Sequence, residues 1–248
     1  MTPSPIRKVL SSLRIHGVQC LLMGGQACVF YGAAEFSRDT DLAILSSADN
    51  LERFRAALAG LDAESIAVPP FKAEYLHRGH ALHFRCHHPE AAGLRIDVMS
   101  AMRGVAPFDV LWARRTTIQT TDGDQYELLS LADLVQAKKT QRDKDWPMLR
   151  RLVEADYLQY RPHPTPGQLT FWLKQLRTPV LLVEVAVRQP DFAADVARER
   201  PLLALAVAGN QAAVEGALAL EEAAEREADR RYWQPLRAEL ESLRHARP

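Results

Sequence analysis

Residues 18–45 read VQCLLMGGQACVFYGAAEFSRDTDLAIL, and two short apolar runs frame this segment. The runs cover 18–23 and 42–45, lengths that are typical of buried strands. The residues between them predict a glycine turn, a helix of small side chains and a polar turn, over 24–25, 26–34 and 35–38. Two aspartates precede the second run. The segment therefore predicts a strand, a turn, a helix and a strand that carries two acids.

The glycine pair Gly24-Gly25 follows the first apolar run directly. Because glycine has no Cβ, its backbone N–H group can approach a ligand closely. The helix expected after the pair would add the N–H groups and the positive dipole end of its first turn. The turn is therefore a candidate cradle for an anion such as phosphate.

Asp39 and Asp41 stand two residues apart at the start of the second strand, so their carboxylates share one side of it. Two close carboxylates repel each other unless a cation joins them, and hard oxygen ligands suit Mg²⁺. A glycine pair alone is usually only a turn, and an Asp-x-Asp alone is usually a solvated pair or a cap. Together and in this order, the two motifs predict metal-assisted phosphoryl or nucleotidyl transfer.

The spacing of the two motifs resembles the signature of the polymerase-β-like nucleotidyltransferase superfamily. Gly24-Gly25 is followed by thirteen residues and then by Asp39-Thr40-Asp41-Leu42. The strings GGQA, YG and SRDTDL are most similar to the AbiEii/AbiGii-type nucleotidyltransferases of bacterial toxin–antitoxin systems. The resemblance implies an α/β (α+β) fold with a mixed sheet, an NTP as substrate and Mg²⁺ or Mn²⁺ as cofactor. It also implies that Asp39 and Asp41 bind the metal and that Gly24 and Gly25 bind the nucleotide.

Antibiotic nucleotidyltransferases are similar as well, because their acids lie in an R-D-x-D-h-A-h string that compares with Arg38 to Ile44. Two positions depart from the patterns. Thr40 stands where an apolar residue is usual between the acids, and Glu35 stands where the toxin-type pattern often has Arg. The alternatives are therefore a toxin-type enzyme, an enzyme that modifies small molecules, and a catalytically silent module that binds a nucleotide or an antitoxin.

Composition narrows the class of protein. Lys plus Arg and Asp plus Glu both number 31, and this zero net charge argues against a general polyanion binder. Apolar residues make up 47% of the chain, enough for a sizeable core. The three cysteines form no Cys-x-x-Cys and are odd in number, which favours a reducing, cytoplasmic location. No signal peptide and no run of about 18 apolar residues is visible, so no membrane association is expected.

A second pair of strands is expected to supply a third acid. Strand-like segments lie over 64–68, 75–86 and 94–99. Simple hairpin pairing of the last two would place His83 near Asp97 and Arg85 near Arg95 on one face. The resemblance implies that Asp97 is the third carboxylate, a metal ligand and base, with Arg85 as a nucleotide-binding candidate. The alternative is that Asp97 only forms an ion pair with Arg85 or Arg95.

The chain after residue 130 reads as helical throughout. Leu131, Leu134 and Val135 form an apolar stripe that Lys138 continues, so Lys138 is expected to face inward and Lys139 to be solvated. The string KKTQRDKDW resembles the Lys…Arg-x-Lys-Asp motif of AbiEii-type enzymes. The resemblance implies that Lys138 meets the triphosphate and that Asp145 orients Lys138 or the acceptor, so both count as catalytic candidates.

Residues 138–151 hold six Lys or Arg against two Asp. This excess weakly favours a nucleic-acid acceptor such as the end of a tRNA, although a solvated helix end would look the same. Residues 165–248 read as amphipathic helices without visible chemistry, which could support the first domain, bind the acceptor or dock an antitoxin. The sequence thus predicts a nucleotidyltransferase domain over 1–130 and a helical domain over 131–248.

Overall fold

The computed structural model describes residues 4–34, 36–121 and 123–245. Glu35, named above as part of the polar turn, lies outside the described residues. Contacts divide the described chain into two units. The first comprises 4–30, 34, 36–121, 123–137 and 232–245, and the second comprises 31–33 and 138–231.

The first unit is built on one sheet, and seven strands of it are described. They are β1 (Cys20–Met23), β2 (Asp39–Ile44), β3 (Ala63–Ser65), β4 (Leu82–Cys86), β5 (Arg95–Met99), β6 (Thr116–Gln119) and β7 (Gln125–Leu128). Their spatial order is β3-β4-β5-β2-β1-β7-β6. Strand β2 pairs with β5 and β1 pairs with β7 in parallel, whereas the other neighbours are antiparallel. The expected α/β class with a mixed sheet is therefore confirmed.

Helices of the first unit bury one face of this sheet. Alternation along β4 and β5 sends Phe84 and Ile96 to the buried face, where Phe84 meets Phe54 with ring centroids 5.6 Å apart. The polar residues of the same strands are left on the opposite face. The helices are α1 (Ser4–Ile15), α2 (Gly24–Phe30), α3 (Ala48–Gly60), α4 (Ala73–Arg78), α5 (Phe108–Ala113) and α6 (Leu131–Ala137), with a 3₁₀ turn at Pro89–Ala91.

One predicted strand is wrong over half of its length. Residues 75–86 read as a strand, yet residues up to Arg78 form α4 and only Leu82–Cys86 are extended. The two parts are separated by Gly79, whose φ of +96° ends the helix in the left-handed region. The neighbours Tyr75 and Leu76 are both buried, an arrangement that a helix end provides and an alternating strand does not.

The second unit is helical. Its described helices are α7 (Asp145–Tyr160), α8 (Pro166–Gln175), α9 (Pro179–Arg188), α10 (Pro190–Ala197), α11 (Leu203–Val207) and α12 (Gln211–His245). Proline stands in the first turn of α8, α9 and α10, because its missing N–H is not needed there. Pro235, by contrast, lies inside the 35-residue α12.

The end of α12 groups with the sheet unit, as does α6. Within that unit, the wholly buried His80 places Nε2 2.7 Å from Glu239 Oε2, and Arg78 pairs with Glu239 Oε1 at 2.7 Å. This grouping differs from a division at residue 130. Grouping by contacts does not test where an independently folding domain ends, so the 1–130 and 131–248 division stays a prediction.

None of the helices within the described ranges combines the length and the apolar character that crossing a bilayer requires.

Candidate functional site

Strand register brings the three predicted acids onto one face of the sheet. In the parallel β2–β5 pair, Asp41 lies directly opposite Asp97 and Asp39 lies opposite Arg95. Residues two apart on a strand share a face, so all four side chains lie on the polar side. On its other edge Asp41 faces Met23, the residue before Gly24. The acids are therefore neighbours, and they lie beside the glycine turn.

Gly24 and Gly25, the predicted glycine turn, are the first two residues of α2, and they lie against the carboxylate of Asp41. Gly24 has a φ of +66°, and a Cβ added there would stand 1.8 Å from Asp41 Oδ2. The backbone N–H of Gly25 donates to the same oxygen at 3.3 Å. Glycine is thus required at position 24 by both conformation and space. The Gly25 N–H already has an acceptor within the chain, and its expected contact with a triphosphate stays a prediction.

Asp97 has two partners on the same face. Arg95 Nε donates to Asp97 Oδ1 at 2.7 Å, and His83 Nδ1 lies 2.8 Å from the same oxygen. Burial would raise the pKa of Asp97, but the contacts with His83 and Arg95 outweigh it and lower the pKa below its usual range. The expected pairing of His83 with Asp97 and of Arg85 with Arg95 is confirmed.

Arg95 is the cation at the centre of the acids. Its hydrogen bond with Asp97 raises the pKa of Arg95, and the charges of Asp39 and Asp41 add to the same effect. The ion pair with Arg95 was an alternative for Asp97, and the structure contains it. Arg85, the nucleotide-binding candidate, is exposed on β4 between Glu64 and Arg95 in the strand register.

The fit of these residues to Mg²⁺ depends on their donor atoms. Asp39 and Asp41 offer the carboxylate oxygens that Mg²⁺ prefers. Asp97 engages two neighbours through Oδ1. Across the described parts of the chain, no three His, Cys, Asp or Glu side chains are grouped as a metal site would need. The chemistry of Asp39 and Asp41 fits the ion, and the predicted role of Asp97 as a third ligand stays a prediction.

Of the two lysines, Lys138 is largely buried, as its predicted inward position requires, whereas Lys139 departs from its prediction. Helix α6 ends at Ala137, so helical spacing does not extend to Lys138 and Lys139. Lys139 is only 8% exposed, and its predicted solvation is therefore wrong. Lys138 Nζ lies 3.2 Å from Asp145 Oδ1, the contact that an orienting role for Asp145 requires. The roles assigned to Lys138 and Asp145 themselves stay predictions.

Asp145 is buried at the start of α7, where the helix dipole stabilises a carboxylate. Thr140 Oγ1 donates to its Oδ2 at 2.6 Å, and Arg142 Nε donates to the same oxygen at 2.7 Å. Burial would raise the pKa of Asp145, but Lys138, Thr140 and Arg142 together lower it. Sequence reasoning missed Thr140. It included Arg142 in the motif but did not assign it a contact with Asp145, although an Arg three residues before a helical Asp was a signal for one.

Comparisons with known proteins assign no role to the residues of this site. No protein-family model matches the chain, and no curated protein matches it. One solved structure that is similar is a crystal structure of a protein from H. pylori, provisionally named a nucleotidyltransferase. It is 14% identical, the match covers 92% of this chain and 94% of that chain, and the TM-score is 0.40. A likeness of this size carries no argument about fold or activity.

Proposed function

We propose that the protein is a nucleotidyltransferase that moves a nucleoside monophosphate from an NTP to an acceptor. The observation that carries the proposal is the register of β2 and β5, which sets Asp41 against Asp97 with Asp39 on the same face. The glycine turn adds support because its backbone touches the Asp41 carboxylate. A glycine turn followed by two acids is also what the superfamily signature contains.

In this proposal Asp39 and Asp41 are the residues that hold Mg²⁺ or Mn²⁺, which would supply positive charge against the phosphates of the NTP. Asp97 acts on the acceptor. Because its pKa is lowered, Asp97 is ionised at neutral pH and accepts a hydrogen bond better than it removes a proton. In this proposal His83, whose Nδ1 lies 2.8 Å from Asp97 Oδ1, shares the acceptor proton.

The acceptor and the toxin-type subclass rest on the motif resemblance. The basic run 138–151 supports an RNA acceptor less than its composition indicated. Lys138 and Arg142 contact Asp145, and Lys139 is buried. Three of the six cations are therefore engaged or buried within the protein itself. Lys144, Arg150 and Arg151 are exposed and are the candidates for contact with RNA phosphates or with an antitoxin.

A second candidate is a nucleotide-binding module without transfer activity. The specific observation in its favour is Arg95, which places an internal cation among the three acids. An arginine there offsets the charge that a metal ion would otherwise offset. Such a module would bind an NTP and release no pyrophosphate.

The test is pyrophosphate release from each of the four NTPs, with Mg²⁺ or Mn²⁺ and with small RNAs or aminoglycosides as acceptors. Asp41→Asn removes one anionic ligand and is compared with Asp109→Asn on the exposed side of α5. We expect metal-dependent release that Asp41→Asn abolishes and Asp109→Asn preserves. Pyrophosphate release that persists in Asp41→Asn contradicts the proposed site. NTP binding without pyrophosphate release in the unchanged protein favours the nucleotide-binding module.

A further inference from the structure

The helical unit contains a cavity of about 380 Å³ whose lining is mostly charged. Its size falls within the range of small-molecule sites, which runs from roughly 300 to 1,000 Å³. The charged residues come from separate segments: the stretch after α6, α8 and the turn that follows it, the turn after α10, and α12. They include Lys139, Lys174, Arg177, Arg200, Glu221 and Glu225.

Three of the cations are buried, with exposed fractions of 8% for Lys139, 8% for Arg177 and 6% for Arg200. Removing a charged group from water costs free energy unless partners replace the lost hydration. Each buried cation therefore needs hydrogen-bond acceptors or carboxylates around it that replace its lost hydration.

All three guanidinium nitrogens of Arg200 have hydrogen-bond acceptors. Its Nη2 donates to Glu221 Oε2 at 2.9 Å and to the Leu176 carbonyl at 3.0 Å, and its Nη1 donates to the Leu173 carbonyl at 2.6 Å. Its Nε also lies 3.1 Å from Glu221 Oε1. A guanidinium with this many partners holds helices together and leaves little for a ligand.

Arg177 has an acceptor for Nη1 but, among the described residues, none for Nε. Its Nη1 donates to Glu221 Oε2 at 2.7 Å, the oxygen that Arg200 also uses. Its Nε is buried without a hydrogen-bond partner among the described residues. Burial and then the charge of Arg200 lower the pKa of Arg177. Burying an N–H donor without an acceptor costs free energy, and native structures rarely leave such a donor unpaired.

Lys139 lies in the same cavity. Its Nζ stands 3.8 Å from Glu225 Oε1. Burial lowers the pKa of Lys139, and the charges of Arg177 and Arg200 lower it further, against the raising effect of Glu225. The lysine thus faces two guanidinium groups in a poorly hydrated place.

The charges of the cavity do not balance. Lys139, Arg177 and Arg200 are three buried cations, and Glu221 and Glu225 are the two carboxylates opposite them. At the rim, Lys174 and Glu199 pair with each other at 2.7 Å and cancel. The lining residues therefore carry one net positive charge, and Arg177 Nε has no hydrogen-bond acceptor among the described residues.

We propose that this cavity binds a small phosphate-bearing anion, with Lys139 and Arg177 as its principal ligands. A phosphate group has several strong acceptor oxygens in a tetrahedral arrangement, so it can meet an ammonium and a guanidinium from different directions. It also supplies the missing negative charge. The phosphate is either free, as orthophosphate or pyrophosphate, or the end of a nucleotide. The site lies entirely in the helical unit and does not depend on the function proposed for the sheet.

The test measures thermal unfolding and calorimetric binding with orthophosphate, pyrophosphate, tripolyphosphate and ATP, against chloride at matched ionic strength. EDTA is present throughout, so metal-dependent binding elsewhere is suppressed. We expect the unfolding temperature to rise with pyrophosphate and to saturate, because a ligand that binds only the folded state stabilises it. An ATP response equal to that of tripolyphosphate identifies the phosphates alone as the ligand, and a larger one identifies a nucleotide.

The variants separate binding from folding. Lys139→Met removes a buried charge, so in phosphate-free buffer it should unfold at the same temperature as the unchanged protein or higher. Its affinity for pyrophosphate should fall about tenfold or more, the effect of losing a charged hydrogen-bonding partner. Lys174→Met at the rim is the matched control and should change affinity by less than about threefold, since its ion pair is partly exposed.

Two results overturn the proposal. One is the same unfolding temperature in pyrophosphate and in chloride. The other is equal affinity of Lys139→Met and Lys174→Met for pyrophosphate, which would place the anion elsewhere. Asp41→Asn should bind pyrophosphate in EDTA as the unchanged protein does, so failure of the proposed transferase function and failure of this site are distinguishable.

Discussion

The acidic face of the sheet and the charged cavity of the helical unit hold similar side chains in opposite ways. On the sheet, neighbouring strands set Asp41 against Asp97, and these side chains remain partly exposed. In the cavity, Lys139 and Arg200 come from distant segments and are buried. The comparison shows that charges on a strand face are available to a ligand, whereas buried charges must first be balanced within the fold.

The largest expected effect concerns the buried charges of the helical unit. Asp145→Ala leaves Lys138 and Arg142 without their shared acceptor and should lower the free energy of unfolding by roughly 3–5 kcal/mol. The exposed Asp143, which pairs with Arg226, is the matched control, and Asp143→Ala should unfold at nearly the original urea concentration. Urea unfolding of both variants checks this, and equal midpoints would remove the contrast between buried and exposed acids.

Gly24→Ala should have the next largest effect. A methyl group there overlaps Asp41 Oδ2 in a residue with a φ of +66°, so the unfolding free energy should fall by about 2–4 kcal/mol. Gly17 has a φ of +65° and nothing within 4 Å of an added Cβ. Gly17→Ala therefore reports the backbone strain alone, about 1–2 kcal/mol. If both variants lose the same amount, the close approach to Asp41 is not real.

The dependence of stability on pH tests the contacts of Asp97. Its pKa in the folded state is below the unfolded value, so its stabilising contribution is present above about pH 4 and is lost as the pH falls through the folded pKa. Asp97→Asn should lower stability at pH 7 and flatten the fall in stability below pH 4. Urea unfolding between pH 3 and 7 measures both slopes, and parallel slopes would show that His83 and Arg95 do not stabilise the ionised form.

The smallest effect is expected at the exposed edge of the same face. Arg85→Ala should change the free energy of unfolding by less than about 0.5 kcal/mol, as surface substitutions do. Arg95→Met should cost more because Arg95 donates to Asp97. If Arg85 binds nucleotide, NTP affinity should fall in Arg85→Ala at low salt, and the loss should shrink as salt is added. A larger loss of stability in Arg85→Ala than in Arg95→Met would reverse their assignment.

The same contrast explains what the sequence could predict. Side chains on a strand repeat every two residues, so the shared face of Asp39, Asp41 and Asp97 followed from parity once the strands were identified. The pairing of His83 with Asp97 followed from the hairpin in the same way. That Arg95 would hold Asp97 could be named only as an alternative, because side-chain pairing depends on rotamers that a pattern does not contain.

Predictions for the helical half depended on helix ends. The stripe of Leu134 and Val135 was correct, and both residues are buried. The helix, however, ends one residue before Lys138, so the inward and outward positions of the two lysines could not be extrapolated. The cavity could not be predicted from the sequence for a related reason. Arg177 and Arg200 lie in turns, where no periodicity relates them to each other or to Lys139.

The contact between His80 and Glu239 also bears on how the chain folds as it is made. The two residues are 159 positions apart, and both belong to the sheet unit. A ribosome that has finished the strands has still to synthesise the whole helical segment before it reaches Glu239. Until then the buried imidazole of His80 has no carboxylate on α12 to meet, and the surface around Gly79 has not received Tyr232. Unlike domains that fold as soon as they emerge, the sheet unit completes its folding after the segment that interrupts it.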